Sequence, residues 1–449
     1  MCQDFKKYKN IFFLGIGGVG MSGLASWCYS KNFNVMGYDK NISVLSSKLE
    51  SMGIKVMYKL SLQSITDNFL DNSTTLVVFT PAINEENIFL DFFNKNNFVV
   101  VKRAELLGQI CSDYNVIAIT GTHGKTTVSI MLSHILTVAG YDPNAFFGGI
   151  SNNYQSNVLL GKSDYMIVEA DEYDRSFLEL NPVMGLITSL DRDHIDTYES
   201  KDSMVEAYAM FCLNIFNNST ISIQSSIKRE VFISNSIKKE IFDKIESYFE
   251  TDIKLTQISH TTNMIDNGSL INLCDHNVKN AALATQLALS LGVKKTVIEK
   301  AFQSFKGVKR RFEYHHHSEK LILIDDYAHH PKELSVLIES VRKLYSTKKI
   351  FLIFEPHLFS RTQALEEDFC KVLSLVDKLV LLDIYPAREL PIKGVSSENL
   401  LKKINLKYKW CSDYNNLKDI LKEQHPSLVL TVGAGEVFKL IPMIKTTLL

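Results

Sequence analysis

Cysteine is sparse and scattered in this 449-residue chain: seven residues, at positions 2, 28, 111, 212, 274, 370 and 411, with no C-x-x-C pair. An odd, dispersed set excludes a disulfide framework and a structural zinc cluster, and it points to a reducing, cytosolic setting. Charge of one sign is also lacking. Lys+Arg is 49 and Asp+Glu is 50, for a net charge of -1, so nothing draws the whole chain to nucleic acid or to an anionic membrane, and only a local basic groove stays open. No run approaches the roughly 20 apolar residues that a membrane helix needs. The nearest, Ile11–Cys28 behind Lys6, Lys7 and Lys9, superficially resembles a signal peptide but is interrupted by Gly15, Gly17, Gly18, Gly20 and Gly23, which suit a turn. There is no internal repeat.

What remains is an ordinary globular composition, 45% hydrophobic and 22% charged, with enough apolar surface to exclude disorder. The length suggests about three domains. Short apolar runs alternate with amphipathic stretches, the pattern of an α/β protein built on parallel sheets. Strands are expected at Ile11–Leu14, Val35–Tyr38, Leu76–Phe79 and Val99–Val101 in a first domain, residues 1–107. Val116–Thr120, Tyr165–Val168 and Met184–Thr188, with helices near Thr126–Ala139, Lys201–Phe216 and Asn277–Leu291, mark a second domain, residues 108–306. Leu321–Ile324, Ile350–Phe354, Lys378–Leu382 and Leu428–Val432 mark a third, residues 307–449, again doubly wound. The Ser-, Ile-, Asn- and Lys-rich stretch 217–267 reads as peripheral.

Two glycine loops carry the chemistry. Phe12-Phe13-Leu14-Gly15-Ile16-Gly17-Gly18-Val19-Gly20 is a strand entering G-x-G-x-x-G, with Asp39 at the end of the next apolar run. Glycines there let backbone N–H groups approach a pyrophosphate, and an acid at that distance accepts from ribose. Taken alone the motif favours NAD, but it does not tell a dinucleotide from a UDP-sugar, and an unliganded turn stays open. The second loop, Thr120-Gly121-Thr122-His123-Gly124-Lys125-Thr126-Thr127, ends like a P-loop, although Ile119 stands where the full motif has its first glycine. Its working parts are amides for phosphates, Lys125 for the β/γ oxygens and the Thr126 hydroxyl for Mg²⁺. Glu169-Ala170-Asp171-Glu172 at the tip of a buried strand, and Asp191-Arg192-Asp193-His194 after the next one, offer hard ligands for that metal.

Two unlike nucleotide loops do not suit a simple dehydrogenase. The succession G-I-G-G-V-G-M-S-G, G-T-H-G-K-T-T, E-A-D-E-Y-D-R-S-F and D-H-I-D-T-Y resembles the Mur ligases of peptidoglycan synthesis. His276-Asn277-Val278-Lys279-Asn280, Lys309-Arg310-Arg311-Phe312-Glu313, Asp325-Asp326-Tyr327-Ala328-His329-His330-Pro331, Glu355-Pro356-His357-Leu358-Phe359-Ser360-Arg361-Thr362, Asp383–Glu389 and Gly433-Ala434-Gly435-Glu436 extend the likeness from residue 11 to about 438.

The resemblance implies three α/β domains: a Rossmann-like domain for a UDP-sugar, a central ATPase domain, and a C-terminal domain that closes over both. It reassigns Gly15, Gly17, Gly18, Gly20 and Asp39 from NAD to the UDP-sugar. It also implies an ATP-dependent carboxylate–amine ligase acting on UDP-N-acetylmuramate through an acyl-phosphate and a tetrahedral intermediate, with L-alanine as the amine. Gly121, Thr122, His123, Gly124, Lys125, Thr126 and Thr127 would hold the ATP phosphates, with His276, Asn277 and Asn280 near adenine and Asp326 at the ribose. Thr126, Glu169 and His194 would bind Mg²⁺ (or Mn²⁺), and Arg311, with Arg310 as its alternative, would reach the γ-phosphate. Tyr327, His329 and Arg361 would form the amino-acid pocket. A cytoplasmic monomer or weak dimer, with no nucleic-acid or membrane partner, completes the expectation. A murein tripeptide-recycling ligase is the alternative within the family. An NAD-dependent nucleotide-sugar dehydrogenase and a non-catalytic UDP-sugar-binding regulator stand outside it.

The chain departs from the pattern in places. Leu358 stands where some relatives carry a basic residue, and Tyr173 gives E-A-D-E-Y-D, a spelling shared with the recycling ligase. Residues 217–267 lack the relatives' acidic segment, and no lysine after His194 aligns with the one that some relatives carbamylate. His315-His316-His317 reads as a loop or edge feature without a metal role, since successive strand residues point to opposite faces.

Overall fold

The computed structural model describes residues 4–84, 86–190, 198, 200–217, 229–235, 237, 239, 243, 247, 255–258, 275–387, 389–413 and 416–449. It divides into two compact units, Met1–Ile271 with Asn277–Lys306, and Asn272–His276 with Gly307–Leu449.

The first unit holds two sheets. In the first, β1 (Asn10–Leu14), β2 (Asn34–Tyr38), β3 (Lys55–Met57), β4 (Thr75–Phe79) and β5 (Val99–Lys102) are parallel in the order β3-β2-β1-β4-β5. Every residue of β1 is buried, as a strand covered on both faces must be. Alternate residues feed different cores: Ile11 and Phe13 join one apolar cluster, Phe12 and Leu14 another.

The second sheet orders β6 (Asn115–Thr120), β7 (Asn144–Ser151), β8 (Ser156–Leu159), β9 (Tyr165–Glu169), β10 (Met184–Ile187), β11 (Glu230–Ser234) and β12 (Leu255–Ile258) as β12-β11-β10-β6-β9-β7-β8. It is parallel except for the β7–β8 pairing. The two sheets share one core. The cluster that takes Ile11 and Phe13 continues through Leu106 and Ile110 to Val116, Phe146 and Met166. The helix Val19–Ser30 sits at this junction, where Asn157 Nδ2 donates to Val19 O at 2.6 Å.

The second unit has one six-stranded sheet: β13 (Glu313–His317), β14 (Ile322–Asp326), β15 (Phe351–Phe354), β16 (Lys378–Leu381), β17 (Lys409–Cys411) and β18 (Leu428–Val432), in the order β13-β14-β18-β15-β16-β17. Only β13 runs antiparallel, along the edge. Ile322, Ile324, Leu352 and Phe354 face one apolar cluster, while Leu323, Phe351 and Ile353 face the other.

The three sheets bear out the α/β class. Two elements differ from expectation, and a third matches it. The β7–β8 hairpin is antiparallel because its short turn leaves no room for a crossover. The stretch 217–267 is not wholly peripheral: β11 pairs with β10, and Val231, Phe232 and Ile233 are buried in the central sheet. The His315–His317 tract lies on the edge strand, as a tract facing alternate sides should.

Phe369 is fully buried against Phe354, with ring centroids 5.7 Å apart. Phe369→Ala should cost about 3–5 kcal/mol. Trp27 and Trp410 are the only tryptophans, so in a Trp27→Phe background the fluorescence of Trp410 reports this loss by its urea midpoint.

Candidate active site

β6 and β9 are adjacent parallel strands, and Ile119 pairs with Glu169. Their carboxyl ends therefore open side by side, the place where α/β sheets bind ligands. β6 leads through Gly121–Gly124 into the helix Lys125–Val138. Gly121 (φ +120°) and Gly124 (φ +87°) take left-handed backbone that other residues rarely adopt. A Cβ on Gly121 would strike Thr188 Oγ1, and one on Gly124 would fall 2.6 Å from Asn280 Oδ1.

The loop is braced from β10. Thr188 Oγ1 donates to His123 O at 2.6 Å, Thr122 N to Ser189 O at 3.0 Å, and His123 N to Ser189 Oγ at 2.9 Å. With these two amides engaged, the first-turn N–H groups of Lys125, Thr126 and Thr127 form the anion-facing end, reinforced by the helix dipole.

Lys125 Nζ donates to both carboxylate oxygens of Glu172, at 2.9 and 2.8 Å. Burial alone would lower the ammonium's pKa, but the carboxylates of Glu172, Asp171 and Glu169 outweigh it and leave the pKa raised. Thr126 Oγ1 donates to Glu169 Oε1 at 2.8 Å, and Gly148 N to Glu169 Oε2 at 2.5 Å. Burial holds the Glu169 carboxyl above its usual range, against the opposing pull of Lys125 and those two donors. A hydroxyl and a carboxylate side by side at a P-loop form a hard-oxygen set that fits Mg²⁺. His194 lies outside the described residues.

Asn280 Nδ2 reaches Asn277 Oδ1 at 3.4 Å, on the helix Asp275–Ser290 whose Asn280 flanks Gly124. His276 falls in the second unit, with its ring centroid 6.3 Å from that of Phe312.

In the first sheet, Gly15 (φ +86°) turns the chain, and the amides of Gly15 and Ile16 donate to Tyr38 O at 2.7 and 3.0 Å. Gly18 caps the helix Val19–Ser30. Asp39 accepts from the amides of Gly17 (2.8 Å) and Asn41 (3.0 Å), so it braces the loop. Gly20 lies beneath Arg103, whose Nη1 is 2.9 Å from where a Cβ would stand.

In the second unit, Arg310 and Arg311 part company. Arg310 Nε pairs with buried Asp325 at 3.2 Å, Nη1 donates to Gly435 O at 2.9 Å, and Nη2 donates to Gly433 O. It is a structural anchor. The Arg311 guanidinium lies over the Tyr327 ring at 5.3 Å and makes no hydrogen bond among the described residues. Asp326 accepts from Phe312 N at 2.7 Å and from Ala328 N at 2.8 Å. Tyr327, His329 and Arg361 come together through His357: Tyr327 and His329 rings are 5.5 Å apart, His329 and His357 5.9 Å, and Arg361 Nη1 meets His357 Nδ1 at 3.2 Å. Tyr385 stacks on His357 at 5.7 Å. Burial lowers the His329 pKa. Arg361 pairs with no carboxylate among the described residues, so the surface salt bridge that is the default for an exposed arginine is not made here.

Sequence reasoning did not single out Glu172, Arg103 or His357 for a role. Glu172 was visible as the last acid of E-A-D-E. Arg103 had no signal, because its proximity to Gly20 is tertiary.

Three family models match: "Mur ligase family, catalytic domain" over residues 10–115, "Mur ligase middle domain" over 119–288 and "Mur ligase, glutamate ligase domain" over 310–435. Among similar proteins, the UDP-N-acetylmuramate–L-alanine ligase of Christiangramia forsetii is 38% identical over 100% of this chain and 99% of its own length. That of Porphyromonas gingivalis is 40% identical over 97% and 98%. Among solved structures, the UDP-N-acetylmuramate–alanine ligase of Thermotoga maritima superposes with a TM-score of 0.78 at 24% identity, covering 97% of this chain and 98% of its own. A murein peptide ligase of Psychrobacter arcticus gives 0.66 at 18% identity, covering 98% of each. Both share the fold.

Burial raises the Asp326 carboxyl to about 6, even against Arg311 and its two amide donors. A carboxyl raised on folding contributes stability below its unfolded value and loses it as pH climbs through the folded one. From pH 4 to pH 7, D326N should therefore gain on the wild type by roughly 2 kcal/mol. Urea unfolding read by Trp410 in the same Trp27→Phe background checks this.

Proposed function

The chain belongs to the Mur ligase family, and within it we propose that the protein is a UDP-N-acetylmuramate–L-alanine ligase. ATP phosphorylates the lactyl carboxylate, the amine of L-alanine attacks the acyl-phosphate, and collapse of the tetrahedral intermediate leaves an amide, ADP and phosphate. The observation that carries this reading is full-length likeness to ligases of that name at 38% and 40% identity, together with a P-loop whose largely buried Lys125 is ion-paired with Glu172.

The physical obstacle is repulsion between an anionic carboxylate and a polyanionic triphosphate. Lys125 and the first-turn amides of its helix supply fixed positive charge where the transferring phosphoryl passes, with little reorganisation needed. Thr126 and Glu169 would hold Mg²⁺, with His194 as a further ligand and Mn²⁺ able to replace it; the metal's contribution is to neutralise phosphate charge. Gly15, Gly17, Gly18 and Gly20 present the first helix start to the UDP diphosphate, with Asp39 fixing the loop. Tyr327, His329 and Arg361 form the alanine pocket, Arg361 pairing with the amino acid's carboxylate. The NAD reading of the first loop gives way, since that loop lies inside the matched ligase segment, 10–115. A cytoplasmic location and a monomeric or weakly dimeric state belong to the proposal.

With UDP-N-acetylmuramate present, L-alanine should stimulate ATP consumption and the murein tripeptide should not; the reverse result would favour the recycling ligase. Lys125→Met should lower ligation by on the order of 10²–10³ while sparing UDP-sugar binding measured by calorimetry. Full activity in that variant would remove the P-loop assignment.

A further inference from the structure

We infer that Glu172 is a positioning residue for Lys125: an internal counter-anion that holds the ammonium between turnovers and is exchanged for nucleotide phosphate when ATP binds. The inference rests on the ATP reading above.

The geometry is that of a close, two-oxygen ion pair. Both carboxylate oxygens lie within 2.9 Å of Nζ, and the two side chains are only 12% and 3% exposed. Glu169, another carboxylate at this end of the sheet, is occupied differently, by Thr126 Oγ1 and Gly148 N. The backbone carrying Glu172 is fixed. Its carbonyl accepts from Tyr198 OH at 2.9 Å. The turn that follows places Asp174 (φ 53°) and Arg175 (φ 54°) in left-handed conformations, a costly arrangement for two successive side-chain-bearing residues. It is pinned by the Asp174–Lys102 ion pair at 2.9 Å and by Arg175 over the Tyr198 ring at 5.9 Å. Glu172 is thus presented to Lys125 by a stiff support.

The chemistry explains the need. An ammonium this little exposed needs an anionic partner to offset its lost hydration. Glu172 is that partner while the site is empty. Phosphate oxygens then take over the ammonium, so binding exchanges one anion for another. After the reaction Glu172 competes for Lys125 again, which weakens the hold on ADP.

Glu172→Gln keeps the shape and removes the charge. In the full-length protein, equilibrium binding of ADP should tighten by about tenfold or more. KM for ATP should fall, and kcat should fall with it because ADP leaves slowly. A residue with only a structural role would raise KM or leave both unchanged. Glu172→Asp keeps the charge but breaks the two-oxygen contact, so it should tighten ADP binding by a smaller factor and retain more of kcat. ADP binding as weak as in the wild type, or weaker, in either folded variant overturns the inference. A wild-type protein that neither binds nor consumes ATP overturns the ATP reading itself, and this inference with it.

Discussion

A cation meant to act on phosphate has to be dry enough for its field to be felt and still has to be a cation. Those demands oppose each other, and the central sheet is organised around reconciling them. Lys125 starts a helix at the end of a buried strand, where water is scarce. The neighbouring strand ends in Glu169, and three residues further on the chain returns a carboxylate to the ammonium. Thr188 and Ser189 at the end of β10 keep the intervening loop from relaxing. Each of these supports helps to hold the ammonium in place.

The two glycine turns share one strand–turn–helix backbone device and differ in their side chains. In the first sheet the helix start is free of lysine, and Asp39 braces the turn through two amides. In the second, a lysine and a hydroxyl are added to the same strand–turn–helix geometry. A diphosphate that is only held needs amides, whereas a phosphoryl group that moves needs fixed charge as well. The second unit draws a similar distinction between neighbours: Arg310 is consumed in tying β14 to the Gly433–Gly435 turn, and the Arg311 guanidinium rests on the Tyr327 ring.

Much of this was legible from residues alone, because buried parallel strands are continuous apolar runs and glycine loops mark where strands become helices. Gly121, Gly124, Lys125, Thr126 and Glu169 fall where their spacing placed them. Legibility failed wherever the deciding contact was distant in the chain. Lys125 and Glu172 are joined across a whole hairpin, Gly20 and Arg103 across four strands, and no local pattern encodes either. The strands of 217–267 were hidden because a polar, low-contrast composition masks the short apolar run Val231–Ile233. Arg310 and Arg311 were indistinguishable in sequence, and only the partners of each guanidinium separate them.

The core of the first unit runs without a break beneath both of its sheets, so Leu106 and Ile110 pack with Val116 and Met166 in a single apolar body. Shuffling of gene segments at this seam would therefore expose oily surface on each fragment. The two sheets of this unit behave as one packing body, and a foreign first sheet would fit only with a matching partner face.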